Sequence, residues 1–469
     1  MSTVDPHQTV TAGVESTAAL SGHAARIARD HCLAPERVDA PIYGGRYRKL
    51  FPELPALDVD EQALRALGRA GGPCDVGVEL ADGPDSTVAA VWPFFGQFVA
   101  HDITADRSPL GHRSDPDEVR NFRTPRANLE GVYGAGPVGS PYLYAKNDPA
   151  KLLLSPSGSD VARNQEGIAL LGDPRNDVHL FMSQMQVAFV KLHNRLVDRL
   201  RADGVEDGDL FDEARRAATW HYQHVIVREF LPLLVGADLV EELLESGPRH
   251  YRADGHIPFE FADAAYRYGH SQIRQRYQVN AELGPCPVFP DLLGFGPVAP
   301  EHLVDWSLQI DLRDRPPAQR AKKIDGRLPA SLIALPTEIT GEREGSEFGS
   351  LATRDLERGE VVGLASGEAV ARALEVEPLS GEQLALAEYG WTNETPLWLY
   401  ILKEAETRQD GNRLGPVGAR IVGEVLIGII DADAESYRAI DPSWQPTLPA
   451  GHGDVFGLAD ILEPVEEPG

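Results

Sequence analysis

The stretch Trp92-Pro93-Phe94-Phe95-Gly96-Gln97-Phe98-Val99-Ala100-His101-Asp102-Ile103-Thr104 governs how the rest of the chain is read. As a helix it places Gln97 and His101 four residues apart on one face. Asp102 is then turned about 100° away, toward a different neighbour. Two polar side chains set among Trp, Phe and Val suit an apolar cavity with two polar handles. A hydrogen-bonded core histidine accounts for the same residues more simply, so other segments must decide.

Working outward, Gly172-Asp173-Pro174-Arg175-Asn176-Asp177 fixes an arginine in a turn. A long amphipathic helix follows, in which Phe181, Met185, Ala188, Leu192, Leu196 and Leu200 recur at spacings of three and four. Asn176 and Asp177 stand where its N-caps are expected. Farther on, Ala265-Tyr266-Arg267-Tyr268-Gly269-His270-Ser271 reads as an aromatic helix, with Gly269 letting something flat approach the backbone. Taken alone, the arginine reads as a surface ion pair and His270 as a structural histidine.

Helices are also predicted over 86–103, 210–235, 259–275, 367–375, 379–406 and 414–432, and an extended segment from Tyr43 to Leu57. Alternating apolar and polar runs are few. The 36 Pro and 45 Gly collect between helices, notably at 134–141 and 284–299. The expected fold is mainly α, with long irregular loops and little β-sheet. Residues 1–35 are small and polar and read as a flexible arm, leaving 36–469 as one large helical domain. Length alone, at about 150 residues per domain, suggests three units.

Composition narrows the function. Of 469 residues, 72 are Asp or Glu and 44 Lys or Arg, a net charge of −28. That argues against a basic surface for nucleic acid or an anionic membrane. Cys32, Cys74 and Cys286 stand far apart with no CxxC pair, against a disulfide framework or thiolate cluster. MSTVDPHQTV does not read as a secretory signal, and no apolar run approaches about 18 residues, so membrane insertion is not expected. A soluble, cytoplasmic protein is the expectation, with secretion by another route left open.

Three motifs fail on context. Gly134-Ala-Gly136-Pro-Val-Gly139 matches GxGxxG, but Pro137 and Pro141 obstruct the helix a pyrophosphate would need. Asp431-Ala-Asp433-Ala-Glu435 opens like an EF-hand, but Ser436 and Pro442 replace the required Gly and Glu, leaving a solvated helix end. His221 and His224 share a helix face but have no third ligand, so a core or surface role is expected.

Taken together, the surviving segments resemble the animal-type heme peroxidases of the peroxidase-cyclooxygenase superfamily, bacterial members included. GQFVAHD is similar to that family's distal-histidine motif, GDPRND to its arginine motif and YRYGH to its proximal-histidine motif. Lys191-Leu-His193-Asn194-Arg195-Leu and Arg354-Asp355-Leu356-Glu357-Arg358-Gly359 resemble two later segments in the same order, so that the likeness covers roughly residues 40–460. The resemblance implies a heme b cofactor with His270 as axial iron ligand. It implies His101 as acid-base residue, Arg175 as stabiliser of developing charge and Gln97 as positioner of peroxide, water or a small anion. The implied partners are hydrogen peroxide and a small-molecule reductant.

The departures matter too. Ala100 and Val178 stand where mammalian relatives carry the carboxylates esterified to heme, and His179 stands where one carries a thioether-forming Met. Non-covalent heme, and substrates other than chloride, are therefore expected. Asp355 replaces the usual Asn beside the proximal imidazole, which implies a more anionic ligand unless a cation such as Arg354 neutralises it. Arg358, and with it Arg267, would meet heme propionates. For calcium the resemblance points to Asp102, Thr124, the Arg126 carbonyl, Asn128 and Glu130, so Ca²⁺ stays possible. A fatty-acid dioxygenase or cyclooxygenase is the rival within the fold, although Arg267 stands where those carry a radical-forming Tyr. A natural-product tailoring oxidase and a non-catalytic heme-binding protein stay open as well.

Overall fold

A computed structural model describes residues 45–77, 83–105, 119–341 and 349–465. The expected arm over 1–35 lies outside them. Eight helices of eight or more residues occur among the described residues: α1 (Glu61–Gly68), α2 (Val91–Ile103), α3 (Leu180–Ala202), α4 (Leu210–Val225), α5 (Ala237–Ser246), α6 (Leu351–Val361), α7 (Leu397–Gln409) and α8 (Pro416–Asp431). Sheet is confined to short pieces. Gly45–Arg48 pairs parallel with His256–Pro258 and antiparallel with Arg120–Asn121, and three further two-stranded ladders serve as loop staples. The mainly α class is as expected.

Helix α2 is the hub, because its aromatic residues face three directions. Phe94 stacks on Phe181 of α3 at 4.5 Å, and Phe98 on Phe189 of α3 at 4.6 Å. Phe95 meets Tyr222 of α4 edge-on at 6.1 Å. Burying such rings contributes about 1.5–3 kcal/mol each, enough to fix how α2, α3 and α4 cross. Pro93 is tolerated because it falls in the first turn, where its missing N–H costs no hydrogen bond. The strip left over, Pro93, Gln97 and Ala100, faces a cavity.

Several boundaries differ from expectation for definable reasons. Residues 85–89 form a strand against Arg320–Lys322, so the helix starts only at Val91. The predicted helix over 379–406 breaks into a capped turn at Gly381–Leu384 and α7, which begins after Pro396. The 210–235 helix is continuous but carries a π-turn at Ile226–Phe230, just ahead of Pro232. The wider turn accommodates a residue that cannot donate a backbone bond. Gly136–Gly139 forms a single helical turn despite Pro137, but a helix rather than a strand precedes it, so no dinucleotide fingerprint results. The acidic helix end is only partly solvated: Asp433 is buried against Arg126 at 3.3 Å.

The expected helix over 259–275 is instead a short turn followed by a 3₁₀ segment, Ala265–Gln272. Three residues per turn bring positions i and i+3 onto one line, so Arg267 and His270 share a face. Packing of this segment on α2 and on α7 sets it across the cavity from Gln97.

Candidate active site

The cavity holds about 850 Å³ of empty space, partly open to solvent, between α2 and the 265–272 segment. Gln97, Ala100, Val178 and His179 line one side, Tyr266, Tyr268, Gly269 and His270 the other, and Val288, Leu332 and Leu335 close the rim. Apolar walls with a few convergent polar groups are the usual build of a cofactor site.

On the proximal side, His270 Nδ1 donates to Asp355 Oδ2 at 2.6 Å. That bond leaves Nε2 to the cavity that His270 lines. Asp355 is fully buried, and its other oxygen lies 3.4 Å from Arg267 Nη1. Arg267 is thus a cation beside Asp355, in addition to the Arg354 considered from sequence. Arg267 and Arg358 also reach Asp263, at 3.4 and 3.7 Å. A Cβ at Gly269 would meet nothing within 4 Å, so open space faces the backbone as the sequence suggested. An imidazole with one nitrogen anchored, a bare backbone beside it and an apolar slot above fit a heme, with His270 as the residue to hold its iron.

On the distal side, His101 Nδ1 lies 2.8 Å from Asn176 Oδ1. Asn176 is oriented in turn by Gln186, whose Oε1 accepts from Asn176 Nδ2 at 2.9 Å. The Asn176 oxygen can only accept, so Nδ1 carries the proton and Nε2 keeps its lone pair. Burial, helped by the charge of Arg175, pushes the His101 pKa down to about 3 and keeps the ring neutral. Gln97 Oε1 lies 2.8 Å from His179 Nε2. His101 is not among the lining residues of the cavity, whereas Gln97 is: the shared face predicted from spacing splits between Asn176 and His179.

Arg175 also stands back from the lining. Its Nη2 donates to the carbonyls of His101 (3.0 Å) and Thr104 (2.7 Å), and its guanidinium pairs with Asp173. Burial pushes the Asp173 carboxyl up, but its bonds to Arg175 and the nearby Arg123 outweigh this and hold it below the ordinary range. Arg175 is therefore clamped across the end of α2, next to His101.

The sequence reading missed Asn176, Gln186 and His179. Asn176 and Asp177 do not cap α3. Asn176 spends its side chain on His101, Asp177 pairs with Arg163 at 2.7 Å, and His179 occupies the cap position. Signals were present in a Gln at 186 among buried apolar neighbours and a His flanked by Val178 and Leu180. His221 is structural, accepting from Thr447 and Leu448 N–H groups, and His224 packs on Trp444.

Most of the side chains named for calcium are engaged with other groups. Glu130 pairs with Arg123 at 2.9 Å and with the Thr124 hydroxyl, Asn128 accepts from the Glu130 N–H, and Arg126 pairs with Asp433. Asp102 accepts from Leu129 N–H at 2.9 Å. Its other oxygen is buried without a partner, and burial pushes its carboxyl up to about 7. Among the described residues no three His, Cys, Asp or Glu side chains gather, although calcium also takes hydroxyl, amide and carbonyl oxygens. Two arginines, Arg123 and Arg126, supply the positive charge here.

Residues 112–286 match the family model for animal haem peroxidase. Over those residues the chain is similar to that family. It is 25% identical over 288 residues to chorion peroxidase of Drosophila melanogaster, covering 57% of this chain and 34% of that protein. Peroxidasin of the same fly is 26% identical over 353 residues, covering 69% and 22%. The chain thus spans about a third or less of the length of these relatives. Peroxidase A from Dictyostelium discoideum shares the fold of this chain with a TM-score of 0.63 at 14% identity, covering 89% of this chain and 91% of that one. Fatty acid alpha-dioxygenase of Arabidopsis thaliana shares it at 0.60 and 15%, covering 81% and 71%. No helix among the described residues is long and apolar enough to cross a membrane.

Proposed function

We propose that this chain is a peroxidase that reduces hydrogen peroxide with a non-covalently held heme b and oxidises small organic molecules or halides other than chloride. The observation that carries this reading is the facing pair: an imidazole anchored through Nδ1 on one side of the cavity, and a neutral His101 with a bare Nε2 beyond the other. Heme, when bound, supplies the electrons that cleave the O–O bond and regains them singly from a reductant.

The protein's residues supply the rest. His101 Nε2 takes the proton from one peroxide oxygen and returns it to the other, which leaves as water. Because that nitrogen is set back from the cavity wall, the transfer runs over a short reach, directly or through one water. Arg175, beside His101, offsets the negative charge that builds on the departing oxygen. Gln97 presents its amide to the peroxide. Asp355 holds His270 as a strongly donating ligand. Arg267 and Arg358, both near Asp263, would meet the propionates. Ala100 and Val178 line the cavity without a carboxylate, which supports heme held by contact rather than by ester bonds.

The fatty-acid dioxygenase reading has one observation in its favour. Tyr266 and Tyr268 both line the cavity, and the Tyr266 hydroxyl is buried without a partner. Arg267, between them, is turned to Asp355 instead.

An absorption spectrum of the heme-supplemented protein tests the proposal. A Soret band that shifts on adding peroxide, followed by return when a phenol is added, is the expected result. Absence of any Soret band after supplementation would overturn it, and oxygen uptake with a fatty acid and no peroxide would favour the dioxygenase.

A further inference from the structure

His179 has no place in the chemistry above, yet it is one of the most constrained side chains in the cavity wall. Its backbone is extended, at φ −155° and ψ 164°, and bridges to Leu293. The neighbouring chain fits so tightly that a Cβ at Gly294 would lie 1.9 Å from the Asp177 carbonyl oxygen. The ring packs against Phe94 at 5.3 Å. Although it occupies the cap position of α3, its side chain caps nothing. It spends its one hydrogen bond on Gln97.

The direction of that bond follows from elementary chemistry. An amide oxygen only accepts, so His179 Nε2 must donate to Gln97 Oε1. Nδ1 is buried without a partner. As a bare lone pair it costs little, whereas as an N–H it would be a buried donor left unmade. The ring is thereby fixed as the neutral Nε2–H tautomer. With its oxygen held by His179, Gln97 has its –NH₂ left over, and both residues line the cavity.

We propose that His179 is the positioning residue for Gln97. It locks the amide so that two N–H donors, and no acceptor, face the distal space, making a small site for an anion or for the lone pair of a bound oxygen. Released from that bond, Gln97 could swing out of the distal space or turn its oxygen onto the same ligands and repel them. The inference rests on the heme reading above and adds to it the residue that sets ligand preference.

Fluoride binding to the ferric holoprotein is the test, read from the shift of the visible bands at fixed pH, and it does not depend on turnover. Gln97→Leu and His179→Leu should each weaken fluoride about tenfold, the worth of one hydrogen bond to a charged group. His179→Gln keeps a donor at similar reach and should recover binding to within about threefold. The double variant His179→Leu/Gln97→Leu should bind no worse than Gln97→Leu alone. If His179→Leu fails to take up heme, His179→Met, unbranched and without a donor, serves in its place. Parental fluoride affinity in the His179 variants, with a loss in Gln97→Leu, would overturn the inference alone. Parental affinity in Gln97→Leu would overturn the role given to Gln97 itself.

Discussion

Asp355 Oδ2 sits 2.6 Å from His270 Nδ1, and Asp355 is shut away from solvent. A buried carboxylate accepting from an imidazole draws it toward imidazolate character, which favours ferric over ferrous iron. The Arg267 guanidinium, 3.4 Å from the other oxygen, tempers this effect without replacing it, because it is the longer contact and is shared with Asp263. Asp355→Asn should raise the ferric/ferrous potential by on the order of 60 mV for each tenfold loss of ferric preference. Spectroelectrochemical titration measures it, and an unchanged or lower potential would refute the role of Asp355.

Burial of His101 alters the pH dependence expected of an ordinary histidine. A base titrating near 6.5 would lose activity across pH 7 to 5. With its pKa pushed down to about 3, the neutral form should exceed roughly nine-tenths at every pH above 4. The rate of the peroxide-induced Soret change should therefore be flat from pH 4 to 8 and fall only below that. The linked effect on stability has a definite sign. The folded pKa lies below the unfolded one, so the unfolded chain binds more protons between the two, and the His101 contribution declines as pH falls from about 6.5 toward 3. An acid limb centred near 6.5 would contradict a buried, neutral His101.

No carboxylate stands at Ala100 or Val178, both in the cavity wall. Acidified organic solvent should extract all the heme from the loaded protein. Pigment remaining on the polypeptide after extraction would show a covalent link and remove the basis for non-covalent heme.

Gly269 faces open cavity, where an added Cβ would have no neighbour within 4 Å. Gly269→Leu should fit without unfolding the chain yet intrude on the slot, cutting heme uptake at least severalfold while the apoprotein melt stays within a few degrees. Full heme occupancy in this variant would place the cofactor elsewhere.

Arg123 is buried and bonds Glu130, Asp173 and the Gly172 carbonyl. Arg123→Ala takes from Glu130 its arginine partner and leaves Asp173 with Arg175 alone, at a cost of about 1–3 kcal/mol. Urea unfolding of the variant should show that loss. A change under about 1 kcal/mol, the worth of a mere surface pair, would mean that another cation already serves this loop.

How far the sequence could be read depended on the kind of force involved. Helix α3 was legible because its three-four spacing of Phe181, Met185 and Leu192 is a local property that burial then enforces. The proximal histidine was legible through its motif, yet the 3₁₀ winding that aligns Arg267 with His270 was not, since periodicity does not separate a short 3₁₀ run from an α-helix. Asn176 was read as a cap because capping is a local rule. Its actual partner, His101, is 75 residues away in the chain, and a contact at that distance is decided by packing.

The sequence by itself therefore determined the helical class, the likeness to animal heme peroxidases and the candidates His101, Arg175, His270 and Asp355, because these follow from spacing and residue type along the chain. Tertiary structure alone decided which nitrogen of His101 keeps its lone pair, that Gln97 answers to His179, and that Arg123 ties Glu130 to Asp173. Each of those depends on which donors and acceptors are buried together, and a buried polar group must take a partner from whatever the fold brings within reach.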